Sequence, residues 1–237
     1  MKQLETDADS IGTFLNELDI RIRARYPLIA INTYEEDRVK DALLDLVFQE
    51  RHKEKPLFFW SRPTGLQRIV DPKEGMLPTP TPVLDTEDPE SVLGYISEQK
   101  TGIFLLCDYA PYISPFGQED ALLVRRLREI AWKLKSTKAT VVFVGPNFPE
   151  LKTLEKEVTQ IELGLPKETE IDDSIELQLD NLRANGLDIS LTKDTQDALL
   201  QSLLGLTAGE ISNVIAKAVI SCNGLNQESI NVILEEK

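Results

Sequence analysis

The sequence is poor in the residues that usually mark a catalytic or metal centre. It holds one histidine, His52, and two cysteines, Cys107 and Cys222, neither flanked by ligand-type neighbours. A His-based triad, a zinc cluster and a disulfide framework are therefore excluded as organising features, and a reducing compartment is the expected setting. No apolar run approaches the length needed to span a bilayer, "IFLLC" being the longest strongly apolar stretch, so no membrane insertion is expected. The opening "MKQLETDADS" is acidic and polar, unlike a signal or transit peptide. Basic residues are also outnumbered, 26 Lys and Arg against 40 Asp and Glu, for a net charge of −14. That balance opposes general nucleic-acid binding and attraction to an anionic membrane surface, both of which need a cation-rich face.

What is present is an alternation of apolar strands and amphipathic helices. Ile11, Phe14, Leu15, Leu18 and Ile22 recur at helical spacing, and "PLIAIN" (27–32) then reads as a strand. The next helix places Val39, Ala42, Leu43, Leu46 and Val47 on one face. Further strands are expected at "LFFWS" (57–61), "GIFLLCD" (102–108), "ATVVFVG" (139–145) and "TQIELGLP" (159–166). Between 57–61 and 102–108, the proline-rich residues 71–89 read as a long irregular excursion, closed by Asp88-Pro89-Glu90 as a helix start. The helix after Gln118 lines up Leu123, Leu127, Ile130, Ala131 and Leu134. After Pro166 no strand is expected; helices fill 168–184, 193–204 and 207–221, the last opened by a Thr207/Glu210 capping box. The chain ends on charged residues without a cap, which suggests a fragment of a longer polypeptide. The expected fold is a five-stranded, mostly parallel, doubly wound α/β sheet over residues 1–166, followed by a small α-helical lid over 167–237. This is the plan of an AAA+ ATPase module.

Ligands of such sheets sit beyond the carboxyl ends of the strands, so each strand end can be tested against the needs of ATP hydrolysis. The first strand should lead into GxxxxGK[ST], whose amides and lysine cradle phosphates. Instead it leads into Asn32-Thr33-Tyr34-Glu35-Glu36-Asp37, with no glycine, no lysine and three consecutive acids. Thr33 and Glu36 fit a capping box, and the carboxylates meet the positive helix end that phosphate would otherwise use. The third strand should end in Asp-Glu, for magnesium and for the attacking water. It keeps Asp108 but has Tyr109 in place of the glutamate, and a role for Asp108 in capping the next turn is the simpler reading. Asn147 stands where a polar sensor is needed, equally suited to a plain turn. No arginine lies in "NFPELKTLEKEVTQIELGLP", and the helix "LTAGEISNVIAKAVI" offers only Asn213 and Lys217. No residue is assigned as catalytic and none as a metal ligand.

The segments "RYPLIAINTYEEDRV", "LFFWSRPTGL", "IFLLCDYAPYI", "TVVFVGPNFPEL" and "LLGLTAGEISNVIAKAV" resemble, in this order, the amino-terminal half of the AAA+ ATPase family encoded as a hypothetical chloroplast reading frame in algal plastids and also found in cyanobacteria. The resemblance implies a non-catalytic module that precedes a second module bearing the working phosphate loop. ATP and magnesium are then cofactors of that second module, and none belongs to the residues here. It also implies contact with the chain's own C-terminal AAA+ module, a homo-oligomer, and a plastid-stromal or cyanobacterial cytoplasmic setting. Cyanobacterial members have been linked to photosynthesis and inorganic-carbon use.

The expected function is thus that of an inactive AAA+-like scaffold, oligomerisation or partner-docking module. Its rivals are a residual ATP-binding domain and a stand-alone module that binds a small ligand or protein. Thr33, Asp108 and Asn147 mark the strand-end cleft that a ligand would use. Arg62 and Arg68, beside the aromatics of "FFWSRPTGLQR", and Arg125, Arg126 and Arg128 on a helix are candidate docking residues for an unidentified protein partner, the solvated-face reading being the simpler one for the helical set. His52, in "QERHKEK", is expected at a polar helix end, either solvated or facing the helix dipole.

Overall fold

The computed structural model describes residues 10–48, 52, 55–70, 79–149, 151–184, 188–189, 193–222, 224–225 and 227–236. The chain divides into two compact units. Phe14–Leu163 forms one, and Gly164–Lys237 with the stretch ending at Thr13 forms the other.

α1 (Ser10–Arg23), which belongs to the larger unit from Phe14 on, leads to β1 (Leu28–Asn32), α2 (Glu36–Phe48) and β2 (Leu57–Ser61). There follow β3 (Gly65–Val70), β4 (Thr79–Val83), α3 (Pro89–Ser97) and β5 (Thr101–Cys107). A short α4 (Ala110–Ile113), α5 (Ala121–Leu134), β6 (Lys138–Gly145) and β7 (Val158–Glu162) complete it. The sheet has seven strands in the order β4-β3-β2-β5-β6-β1-β7, not the five expected. The five that the apolar runs mark are mutually parallel. The additional two, β3 and β4, pair antiparallel beyond β2.

Their absence from the sequence reading has a physical cause. β4 is "TPTPV", and proline removes the amide that a ladder needs. Pro80 and Pro82 alternate with Thr79, Thr81 and Val83, so the missing donors all fall on the side away from β3. An edge strand tolerates this; an interior one does not. β3 shows no apolar run because only its start is buried.

The parallel strands are buried on both faces, which explains their unbroken apolar character. Ala30, Phe104, Leu106, Val141 and Phe143 join one core with Val92, Leu93 and Ile96 of α3 and with Leu127, Ile130, Ala131 and Leu134 of α5. The alternate residues Ile29, Ile31, Ile103, Leu105 and Val142 are equally buried, and α2 packs over β6. Each such aliphatic side chain contributes about 1.5–3 kcal/mol by leaving water. α3 starts as expected: Asp88 accepts from the Glu90 and Ser91 amides, with Pro89 at the first helical position. Asp120 caps α5 in the same way.

The smaller unit contains α6 (Glu168–Ala184), α7 (Lys193–Leu203), α8 (Ala208–Cys222) and α9 (Gln227–Glu236) around a core that includes Ile171, Ile175, Leu199, Leu203, Ile211, Ile215 and Ile233. It is not purely helical. Two-residue strands β8 (Asp188–Ile189) and β9 (Gly224–Leu225) pair in parallel, too short to leave a sequence pattern. Thr207 and Glu210 form the expected capping box: the Thr207 amide donates to the Glu210 carboxylate at 2.8 Å, and the Glu210 amide donates to Thr207 Oγ1 at 3.2 Å.

His52 departs from expectation. It is 1% exposed, and its Nε2 lies 2.6 Å from Asp19 Oδ1, so it is an interior residue paired with α1 rather than a solvated helix end. Its local sequence is polar, and its partner Asp19 lies 33 positions away in α1, so the burial left no local signal.

Candidate functional site

Because β5, β6 and β1 are consecutive in the sheet, their carboxyl ends bring Asp108, Asn147 and Thr33 to one edge. Backbone bonds tie these ends together. The Thr33 amide donates to the Gly145 carbonyl at 3.2 Å, and the Asp108 amide donates to the Val144 carbonyl at 2.9 Å. Asn32 adds a clasp that the sequence reading missed: its Oδ1 accepts the Phe148 amide at 2.8 Å, linking the end of β1 to the turn after β6. A polar residue ending an apolar strand was the one available signal.

The three positions then diverge. Asn147 is exposed and adopts φ 61°, a left-handed conformation that asparagine tolerates in turns. Asp108 is exposed, at φ 49°, and its carboxylate makes no hydrogen bond among the described residues. It does not cap α4, whose cap position is Tyr109 with no side-chain bond. Gly145 is required beside it: φ is +152°, and a Cβ there would stand 2.9 Å from Asp108 Oδ1.

At Thr33 the capping box is not formed. Thr33 Oγ1 accepts the amide of Glu35, not of Glu36, at 3.0 Å, and the Thr33 amide is already committed to Gly145. Glu36 turns instead to Lys40, its ion-pair partner one turn on, and to the Cys107 thiol at the end of β5. Glu35 precedes the first turn of α2 and holds Arg38 at 2.6 Å. Glu35 and Glu36 are thus each paired locally, and the exposed Asp37 shares Lys40 at 3.6 Å, where α2 begins with Glu36 and Asp37. Burial alone would lower the Lys40 pKa, but the Glu36 hydrogen bond and the charges of Glu36 and Asp37 more than reverse this and raise it. Asp41 is raised, first by burial and then by the like charges of Asp37 and Asp45. Burial, followed by the charge of Glu36, pushes the Cys107 thiol far above its ordinary value, so it stays protonated.

Tyr109, at the position where a water-orienting glutamate is needed, points into the core. It is fully buried, packs edge-on against Trp60 with ring centres 5.2 Å apart, and donates its hydroxyl to the Pro89 carbonyl at 2.7 Å. Burial, then the negative charges of Asp88, Glu90 and Asp120, drives its pKa upward.

The five arginines do not share one environment. Arg62 lines an open cavity of about 430 Å³ with Asp88, Glu90, Tyr112 and Asp120, beyond the carboxyl ends of β2 and β5. Arg126 lines a different one of about 290 Å³ between α3 and α5. Arg68 is exposed on β3. Arg125 pairs with Glu129 at 2.8 Å and lies over Trp132, and Arg128 donates to the Thr153 carbonyl. Among the described residues no group of three His, Cys, Asp or Glu side chains is gathered to hold a metal ion, and no helix is long and apolar enough to cross a membrane.

Two family models match the chain. The SpoVK-like AAA ATPase N-terminal domain covers residues 14–163, and the SpoVK-like AAA ATPase second domain covers 169–237. Relatives described as uncharacterized AAA domain-containing protein ycf46 include one from Trieres chinensis, 24% identical over 94% of this chain and 41% of its own length. Another, from Pyropia yezoensis, is 25% identical over 94% of this chain and 42% of its own. The chain thus spans about two fifths of the length of these relatives. Among solved structures, C. elegans PCH-2 superposes with a TM-score of 0.57 at 9% identity, covering 97% of this chain and 69% of that one. A chain of the E. coli MS115-1 HORMA:CdnC:Trip13 complex gives 0.59 at 13% identity, covering 96% and 85%. These likenesses establish the shared fold.

Proposed function

The chain belongs to the SpoVK-like AAA ATPases, and on that premise we propose that it is a module without a working ATP site, serving as a scaffold, oligomerisation or docking half beside a catalytic AAA+ module. The observation that carries this reading is the turn between β1 and α2. Its backbone has no glycine for close approach, and Glu35, Glu36 and Asp37 sit where a phosphate would need amides and a lysine. Tyr109 supports it, since an aromatic ring anchored in the core takes the place of the second acid. The residues present at this turn do not fit Mg-ATP. ATP and magnesium belong, on this reading, to the module that the longer relatives would supply.

The partners proposed are that second module, further copies of the chain and an unidentified protein, in plastid stroma or cyanobacterial cytoplasm and in the context of photosynthesis or inorganic-carbon use. The carboxylate of Asp108 favours one rival, residual nucleotide binding, because it is exposed and free at a strand end. Calorimetric titration of the purified chain with Mg-ATP separates the two. No saturable heat and no turnover are expected. Micromolar binding with turnover that Asp108→Ala abolishes would overturn the proposal.

A further inference from the structure

The opposite end of the same sheet carries the opposite charge. Arg25, Lys55, Lys100 and Lys138 stand at or just before the starts of β1, β2, β5 and β6. The strand registers bring them to one end of the sheet. Thr101 pairs with Lys138 directly, so Lys100 lies one position further out on β5; Leu57 opposite Ile103, followed back two, sets 55 against 101; Arg25 lies in the turn before β1, at φ 62°, three residues ahead of Leu28, which pairs with Val141. The ladder persists there, with the Lys138 amide donating to the Lys100 carbonyl, that of Val141 to Pro27 and that of Ile103 to Pro56, each at 2.9 Å. Since β2, β5, β6 and β1 are neighbours at the usual ~4.8 Å between strands, the four cations gather as a row along one end of the sheet, Lys100 one position further out than Lys138.

Arg25, Lys100 and Lys138 are exposed and Lys55 is half-buried, and none of the four has an ion-pair partner among the described residues. The carboxylate beside Lys55, Asp19, is already held by His52 at 2.6 Å and Arg23 at 2.9 Å. Burial depresses the Lys55 ammonium; the charge of Asp19 opposes this, and the like charges of Lys138 and Arg25 add to the depression. The His52 carbonyl accepts the Lys55 amide at 2.8 Å, and His52 Nδ1 is buried without a partner. Beyond β1 the row ends in the mixed charges Glu155-Lys156-Glu157. A chain of net charge −14 that leaves four cations side by side and unpaired spends its scarce positive charge on one surface.

We propose that the amino-terminal end of the sheet is a docking surface for an acidic segment of a partner protein, laid across the starts of β2, β5, β6 and β1. In an extended segment the side chains on one side recur about every 7 Å, so two or three carboxylates match the row. A long polyanion such as nucleic acid, or an anionic bilayer, meets the repulsion of the whole chain, whereas a short segment feels mainly the row within a screening length of about 8 Å. The inference deepens the docking role proposed above and is independent of whether nucleotide binds.

Fluorescence anisotropy with a labelled poly-glutamate decapeptide, at low and physiological salt, tests it on the whole chain. Salt-sensitive binding is expected, weakened about tenfold or more by Arg25→Gln/Lys100→Gln/Lys138→Gln. Lys152→Gln/Lys193→Gln/Lys217→Gln removes the same charge elsewhere and is expected to change it by less than about twofold. Lys138→Glu alone should weaken binding, a check that keeps the surface testable if the triple variant loses its circular-dichroism melt. Equal losses in both triples, or loss only in the second, overturn the assignment. So does tighter binding of duplex DNA or phosphatidylglycerol vesicles through the same residues, or self-association in sedimentation that the first triple abolishes. Mg-ATP calorimetry reads the nucleotide question separately.

Discussion

Two helices in this molecule begin with the same pattern, Thr33-Tyr34-Glu35-Glu36 ahead of α2 and Thr207-Ala208-Gly209-Glu210 ahead of α8. Only the second closes into a capping box. At α8 the threonine amide and the glutamate are exposed and have each other as partners. At α2 the threonine amide is taken by the Gly145 carbonyl of the neighbouring strand, and the glutamate is drawn toward Lys40 and Cys107. Local pattern proposes a cap; the sheet decides whether its donors are still free. At the end of β1, the neighbouring strand has already taken the threonine amide.

Breaking the sheet's hold on Thr33 should have the largest effect. Gly145→Ala forces alanine to φ +152° and its Cβ against Asp108, and is expected to cost about 1–3 kcal/mol, read as a lower urea midpoint at unchanged slope. Thr207→Ala comes next, at about 1 kcal/mol for a lost cap. A double-mutant cycle sharpens the contrast: Thr207→Ala and Glu210→Ala should show measurable coupling, whereas Thr33→Ala and Glu36→Ala should add within about 0.3–0.5 kcal/mol. Gly209→Ala, with open space around its Cβ in a helical turn, should stabilise by about 0.4–1 kcal/mol, the reverse of Gly145→Ala. The smallest effect is the pH response of the exposed box. Hydrogen bonds from the Thr207 backbone and then its hydroxyl hold Glu210 below the usual carboxylate range. Its contribution is complete above the unfolded value and is lost as pH falls through the lower, folded one. The Thr207 amide resonance should follow that acid titration, and an amide that does not move would remove the box.

The core of this fold was legible because parallel strands buried on both faces must be apolar throughout, and the helices on either side must carry apolar stripes. The runs at 57–61, 102–108 and 139–145 could hardly be anything else. β3 and β4 were hidden because a half-exposed edge hairpin needs no such run, and "TPTPV" reads as a breaker until its prolines are seen to alternate outward. At the site, the lack of phosphate-binding residues was plain from Asn32–Asp37, and the positions of Thr33, Asp108 and Asn147 followed from strand order. The clasp of Asn32 on Phe148, the inward turn of Tyr109 and the burial of His52 on Asp19 were not legible. Each depends on a partner far away in sequence. The basic row escaped notice for the same reason, since its four members are scattered singly along the chain and meet only through register.

The outward prolines of β4 have one more consequence. A free sheet margin is ordinarily an open invitation for a neighbouring chain to zip on through its main-chain amides. With Pro80 and Pro82 facing out, this margin has no such amides to offer at those positions, so lateral growth of the sheet is blocked there. Whatever assembles along that flank must recognise it by side chains, which makes the association specific to sequence and keeps it from running on into fibres.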